Sequence, residues 1–410
     1  MRILFTHSNF PAQFVHLVSF LRQDPKNQLV FLTTREDWEL PGVYKAVYKA
    51  TREKSPQTHP FLQGFETAVL NGQAAYRAAS ELKARGFEPD LIYGASGWGS
   101  TLYLKDLFPN TPMACYFEWF YRPHGGDAEF GPWERISPEG ECRVKMQNSV
   151  IALDLYSCDG GISPTYWQHS QFPQEYLSKI KVIHDGVNTQ LCAPREGSKG
   201  LVLPNLDLSE AEEIVTYVGR GMEPYRGFPQ FMEAAALLLK RRPKCHIVVV
   251  GSDRVVYGAP APGGKSYKEQ MLEKLDVDLS RLHFTGHLNK PDYLKVLQAS
   301  QVHIYLTRPF VLSWSMLEAM SCGCVVVGSD TPPVREVINH GVNGLLADFF
   351  SPQDIAGKVE EALEDPRLRR GISHRARETV LDRYALEKML PRHLQCLQEI
   401  ANSFRRGRQG

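Results

Sequence analysis

Two apolar runs, 302–307 and 324–328, stand about twenty residues apart, the spacing of a strand, a crossover helix and a second parallel strand. The segment between them reads as a helix. Leu317, Met320 and Ser321 recur three and four apart toward a sheet, and Trp314 and Glu318 lie one turn apart on a neighbouring face. Glu318 is thereby presented beside the loop 308–313, which leads from the carboxyl end of a strand into a helix amino terminus. Open α/β sheets bind phosphorylated ligands at such places. Ser315-x-x-Glu318 also fits a capping box, in which the carboxylate merely satisfies an orphan amide. Spacing alone leaves both readings open.

The rest of the chain alternates in the same way. Strands are expected at 2–7, 29–34, 90–95, 113–119 and 180–187, with helices at 11–22, 65–85 and 142–157. Residues 35–63 read as irregular. At 188–204 the pattern breaks into Pro, Gly and Lys, and alternation then restarts. Strands follow at 213–219, 246–251 and 282–286, with helices at 228–242, 266–275 and 290–299 before the opening unit. Helices at 333–340, 352–364, 367–383 and 385–404 complete the chain. The expectation is α/β, with doubly wound domains at 1–190 and 191–383, a cleft between them, and a terminal helical segment, 384–410.

Composition excludes several classes. The chain has 410 residues, 43% hydrophobic, which is long enough for two ordinary cores. Its formal net charge of +1 supplies no field for nucleic acid. The eight cysteines show no C-x-x-C pair, so neither a disulfide framework nor a zinc site is indicated. No signal-peptide pattern and no run of eighteen apolar residues is present. A cytoplasmic protein is expected, and the basic tail Arg405, Arg406 and Arg408 keeps peripheral attachment at the inner face of a membrane open.

Features at strand carboxyl ends of the second half converge. Gly219-Arg220-Gly221 follows one strand, with Arg226 six residues on, and two guanidinium groups suit a diphosphate. Gly251-Ser252 ends the next strand, where backbone can approach a ligand. The loop before Glu318 offers amides to phosphate, and its carboxylate suits ribose hydroxyls. From the first half, His7 and Glu118 are candidates for the cleft, and Trp119, Phe120, Tyr121 and Trp133 offer faces for sugar rings; a loop packed on its own aromatics explains them equally well. Asp276-Val277-Asp278 precedes a strand and reads as a solvated turn, so no metal site is expected. P-loop, G-x-S-x-G and H-E-x-x-H motifs are absent, and no Gly-x-Gly-x-x-Gly follows the first strand.

IKVIHDGVNT, YVGRGMEPYRGF, LHFTGHL, SMLEAMSCGCVVVGSD and VREVINHGVNGLLAD, over about 180–350, resemble the retaining glycosyltransferases called group 1 or family 4. The resemblance implies the GT-B fold: two Rossmann-like domains facing across a cleft, with the last helix crossing back to the first. It implies transfer of a hexose from a nucleotide-sugar to a saccharide or lipid-linked acceptor, without metal or cofactor, in glycan biosynthesis. Carried over by position, Arg220 and Arg226 would hold the diphosphate, Glu318 the ribose, and Gly219, Gly251, Ser252 and Phe310 to Trp314 (Val311, Leu312 and Ser313 included) the rest of the donor. His7, Phe10, Gln13, Glu118, Trp119 and Tyr121 would stand on the acceptor side, with Glu118 beside the two arginines as a catalytic candidate. UDP-glucose is the first expectation for the donor and GDP-mannose the second. The chain departs from the family at Phe310, where members carry a sugar-contacting Glu, at Arg226, one residue late for the usual Lys, and at Phe10-Pro11-Ala12-Gln13, where many carry Gly-Gly. A nucleotide-sugar epimerase and a silent nucleotide-sugar binding protein are the alternatives.

Overall fold

Apolar runs of four to six residues become fully buried parallel strands, and their alternate side chains fill opposite faces of the sheet they join. The computed structural model describes residues 1–195 and 200–407; Arg408 of the basic tail lies outside them. The chain divides into two compact units, Met1–Gly186 with Leu386–Gly410, and Val187–Ala385.

The first unit holds a seven-stranded, all-parallel sheet in the order β3-β2-β1-β4-β5-β6-β7. Its strands are β1 (Arg2–Thr6), β2 (Gln28–Thr33), β3 (Val43–Val47), β4 (Leu91–Ala95), β5 (Met113–Tyr116), β6 (Gly160–Ser163) and β7 (Ile180–Val182). Ile3 and Phe5 of β1 and Leu29 and Phe31 of β2 enter one core, while Leu4, Val30 and Leu32 enter another on the opposite face. The terminal helix Leu386–Arg406 contributes Met389, Cys396, Leu397 and Ile400 to the first of these cores.

After the antiparallel hairpin of β8 (Leu201–Leu203) and β9 (Leu206–Leu208), the second unit holds a six-stranded parallel sheet in the order β12-β11-β10-β13-β14-β15. These are β10 (Glu213–Gly221), β11 (Cys245–Ser252), β12 (Leu282–Gly286), β13 (Val302–Tyr305), β14 (Val325–Ser329) and β15 (Leu345–Ala347). The opening prediction is recovered as β13, the helix Trp314–Ser321 and β14, with Leu317, Met320 and Ser321 fully buried. Val187 N donates to Tyr384 O at 2.8 Å, so the two ends of this unit meet.

Several expectations change. Residues 35–63 are not wholly irregular, because the half-exposed β3 lies there as an edge strand. The helix expected at 142–157 is two helices, Pro138–Gln147 and Ser149–Ser157, meeting at Asn148, whose side chain accepts from Tyr121 N at 2.9 Å and donates to Tyr121 O at 2.8 Å. Hairpin β8–β9 overlaps the stretch expected as a broken boundary. Among the described residues no helix is long and apolar enough to cross a membrane.

Candidate active site

In the second unit the loops after β10 and β11 are pressed together. A Cβ on Gly251 would lie 2.1 Å from Gly219 O, so only glycine fits there. Met222 N donates to Arg254 O at 3.0 Å, and Val256 N to Glu223 Oε2 at 2.6 Å. Glu223 is fully buried; burial pushes its carboxyl up, against the pull of the Val256 and Tyr257 amides and of Arg226 and Arg220.

The two arginines have different situations. Arg220 is exposed and has no ion pair among the described residues. Arg226 is only 7% exposed, and its Nη1 donates to Thr307 Oγ1 at 2.8 Å, Val311 O at 2.9 Å and Tyr305 Oη at 3.3 Å. Its guanidinium also stands 5.4 Å from the Tyr257 ring centre and 5.9 Å from that of Phe310. Phe310 is therefore part of an aromatic wall, edge-on to both Tyr225 and Tyr257, and cannot replace the hydrogen bonds of a carboxylate.

Within the loop 308–313, Arg308 N donates to Tyr225 O, Phe310 N to Arg308 O and Ser313 N to Tyr305 Oη. The amides of Val311 and Leu312 have no acceptor among the described residues. Ser313 caps the following helix, accepting from Ser315 N, and Trp314 opens it. The capping-box reading of Glu318 therefore fails: its carboxylate reaches away from the cap, accepting from Tyr293 Oη at 2.6 Å and pairing with Lys290. Neither partner was foreseen, since both come from the helix Lys290–Ala299. A carboxylate has about four acceptor positions, so two remain for hydroxyl donors.

In the first unit, Gln13 Nε2 donates to Glu118 Oε1 at 3.0 Å, joining the loop after β1 to the end of β5. His7 is 2% exposed and its Nδ1 accepts from Asn9 N at 2.8 Å. Two acceptor-side candidates are core residues instead: Phe10, edge-on to Phe31, and Trp119. Phe120 and Tyr121 pack against the core, leaving only Trp133 of the expected stacking faces open to solvent, at 70%. Apolarity at the end of a buried strand had made core and ligand-facing aromatics look alike. Among the described residues, no three His, Cys, Asp or Glu side chains converge as a metal site.

The model described as glycosyl transferase family 4 group matches residues 25–192, and that described as glycosyl transferases group 1 matches 203–379. The chain belongs to the group 1, family 4 glycosyltransferases. This family 4 glycosyltransferase is similar to HepE from Anabaena, solved in complex with UDP, at a TM-score of 0.70 and 16% identity over 97% of this chain and 100% of that one. It is also similar to sucrose-phosphate synthase from Thermosynechococcus elongatus, with a TM-score of 0.69 and 18% identity over 98% and 100% of the two chains. These likenesses show the GT-B fold. Among curated relatives, D-inositol 3-phosphate glycosyltransferase from Thermobispora bispora is 22% identical, over 57% of this chain and 53% of that protein. N-acetyl-alpha-D-glucosaminyl L-malate synthase from Bacillus anthracis is 27% identical over 30% and 32% of the two. The chain thus spans about half the length, or less, of these relatives.

Proposed function

We propose that this protein is a retaining, metal-independent hexosyltransferase whose second unit holds a nucleoside-diphosphate sugar and whose first unit holds a saccharide acceptor. The observation that carries this is Arg220: an exposed, unpaired guanidinium at the carboxyl end of β10. Such an end of an open parallel sheet is where phosphorylated ligands are bound. Arg220 meets the diphosphate, the Val311 and Leu312 amides add donors, and Glu318 accepts from the ribose hydroxyls. Arg226, held rigid by three hydrogen bonds through one nitrogen, keeps the loop in shape for that contact.

In the reaction the bond between sugar C1 and the diphosphate oxygen breaks while the acceptor oxygen bonds C1 on the same face. The acceptor proton passes to the departing diphosphate, giving a glycoside and a free nucleoside diphosphate. The developing charge falls on the diphosphate, where Arg220 supplies compensation without a metal. Glu118 accepts a hydrogen bond from the acceptor. UDP-glucose is the donor proposed, supported by the complex of HepE with UDP-glucose. The test is release of nucleoside diphosphate from UDP-glucose and GDP-mannose with chelator present. Release in proportion to glycoside formed is expected; interconversion of the nucleotide-sugar without an acceptor would make the protein an epimerase.

A further inference from the structure

Glu223 is the one acidic residue in the turn 220–226, which begins at Arg220 and ends at Arg226. It stands midway between the two cations and exposes no surface. The turn is folded tightly around it. A Cβ on Gly221 would fall 2.3 Å from Glu223 Oε2 and 2.5 Å from Arg254 O, and Arg226 N and Phe228 N both donate to the Glu223 main-chain oxygen at 3.2 Å. From the loop after β11, Val256 N donates to Oε2 at 2.6 Å. The other oxygen, Oε1, is buried and takes no hydrogen bond from the described residues.

Holding the loop after β11 needs only one oxygen. A second one, bare and buried, is costly whenever the group is charged. Burial is accordingly the largest influence and pushes the carboxyl up, against the Val256 and Tyr257 amides and then Arg226 and Arg220. Tyr217 of β10 faces the same group, and its hydroxyl is pushed up by burial and then by Glu223. Arg226 is committed to Tyr305, Thr307 and Val311, so Arg220 is the cation of this turn that a ligand can reach. A diphosphate on Arg220 adds negative charge beside a buried carboxylate, and a proton on that carboxylate relieves the repulsion. Placed on Oε1, the proton also turns an oxygen without a donor into a donor itself.

We infer that the nucleoside diphosphate is held by the form of the protein in which Glu223 carries a proton on Oε1, so that binding draws one proton from solvent and release returns it. Glu223 is then a positioning residue through Val256 and the residue that matches the charge of the site to its ligand. This rests on the donor reading above and adds a proton to it. Proton and nucleotide favour each other's binding, so affinity falls as pH rises above the pKa of Glu223 in the free protein.

Calorimetric titration of the full chain with UDP, GDP and ADP tests this, at pH 6 and pH 8, in two buffers of different ionisation enthalpy, on wild type and Glu223→Gln. Glutamine keeps an oxygen for Val256 N and carries a permanent donor where the protonated Oε1 would be. The terminal phosphate of the nucleotide titrates in the same range, so affinities are read as the ratio of variant to wild type. At pH 8 the variant is expected to bind at least about fivefold tighter than wild type, with the gap closing to about twofold or less at pH 6. The wild type should also take up protons on binding at pH 8, and the variant should not. Ratios equal at the two pH values, uptake that persists in Glu223→Gln, or tighter binding by wild type at pH 8 overturns the inference. The wild-type buffer dependence needs no variant, so a poorly folded Glu223→Gln still leaves a decision: no proton taken up at pH 8 overturns it. Failure of the donor reading looks different, since neither protein then binds any of the three nucleotides.

Discussion

Arg220 and Arg226 show how one side-chain type serves two purposes within seven residues. Arg220 touches nothing that holds the fold, so Arg220→Ala is expected to leave thermal stability within about 0.5 kcal/mol of wild type. It should lower kcat on the order of 100-fold, as loss of a donor to developing charge does. Arg226→Ala strands Thr307, Tyr305 and the Val311 carbonyl without their donor, and a loss of about 2–4 kcal/mol in denaturant unfolding is expected. The sequence nominates both guanidinium groups but had no means of telling the exposed one from the buried one. That depends on Tyr305, Thr307 and Val311, some eighty residues away. Ala12 is similar. Its φ of +50° is the left-handed region that favours glycine. Ala12→Gly is expected to raise stability by about 1 kcal/mol, read as a shift in unfolding midpoint; a fall would mean that the methyl packs usefully.

Among elements, the second sheet was the more legible because its central strands, β10, β11, β13 and β14, carry apolar-rich stretches that are mostly buried, with helices between them. The strands overlooked have physical reasons for being quiet. β6 reads GGIS because side chains would not fit: a Cβ would fall 2.6 Å from Ile400 at Gly160 and 2.5 Å from Phe117 at Gly161. β3 is a half-exposed edge, and β8, β9 and β15 are only three residues long. The helix Ser149–Ser157 carries a polar residue with an unusual position, Asp154, 1% exposed under the Trp98 loop. Burial raises its pKa to about 6, against the hydrogen bonds from Thr101, Ser96 and Gly97. The folded state therefore keeps the proton longer than the unfolded chain. Its contribution to stability is full below about pH 4 and is lost as pH rises through about 6. Melting temperatures from pH 4 to 7 should show this downward component in wild type and not in Asp154→Asn; equal slopes would contradict it.

At the scale of the molecule, the first unit carries two cores, one on either face of its sheet, and one of them is completed by residues from the far end of the chain. Leu386–Arg406 could be recognised as a helix, but that its Met389, Leu397 and Ile400 fill the core beneath β1 and β4 follows only from three-dimensional packing. Of the site, donor-side residues were legible because they fall at strand ends in a recognisable order. The acceptor side was not, since Phe10 and Trp119, apolar residues close after strands, are buried, and apolarity alone does not tell a core ring from a ligand-facing one. The central claim is that the second unit binds a nucleoside diphosphate through Arg220 and Glu318. Calorimetric titration of UDP, GDP and ADP, with and without magnesium, into wild type and Glu318→Ala tests it directly. One nucleotide, UDP on this account, should bind independently of magnesium and lose at least tenfold in affinity in the variant. Absence of binding by all three, or equal affinity in Glu318→Ala, would contradict the account and leave Glu318 as no more than the partner of Lys290 and Tyr293.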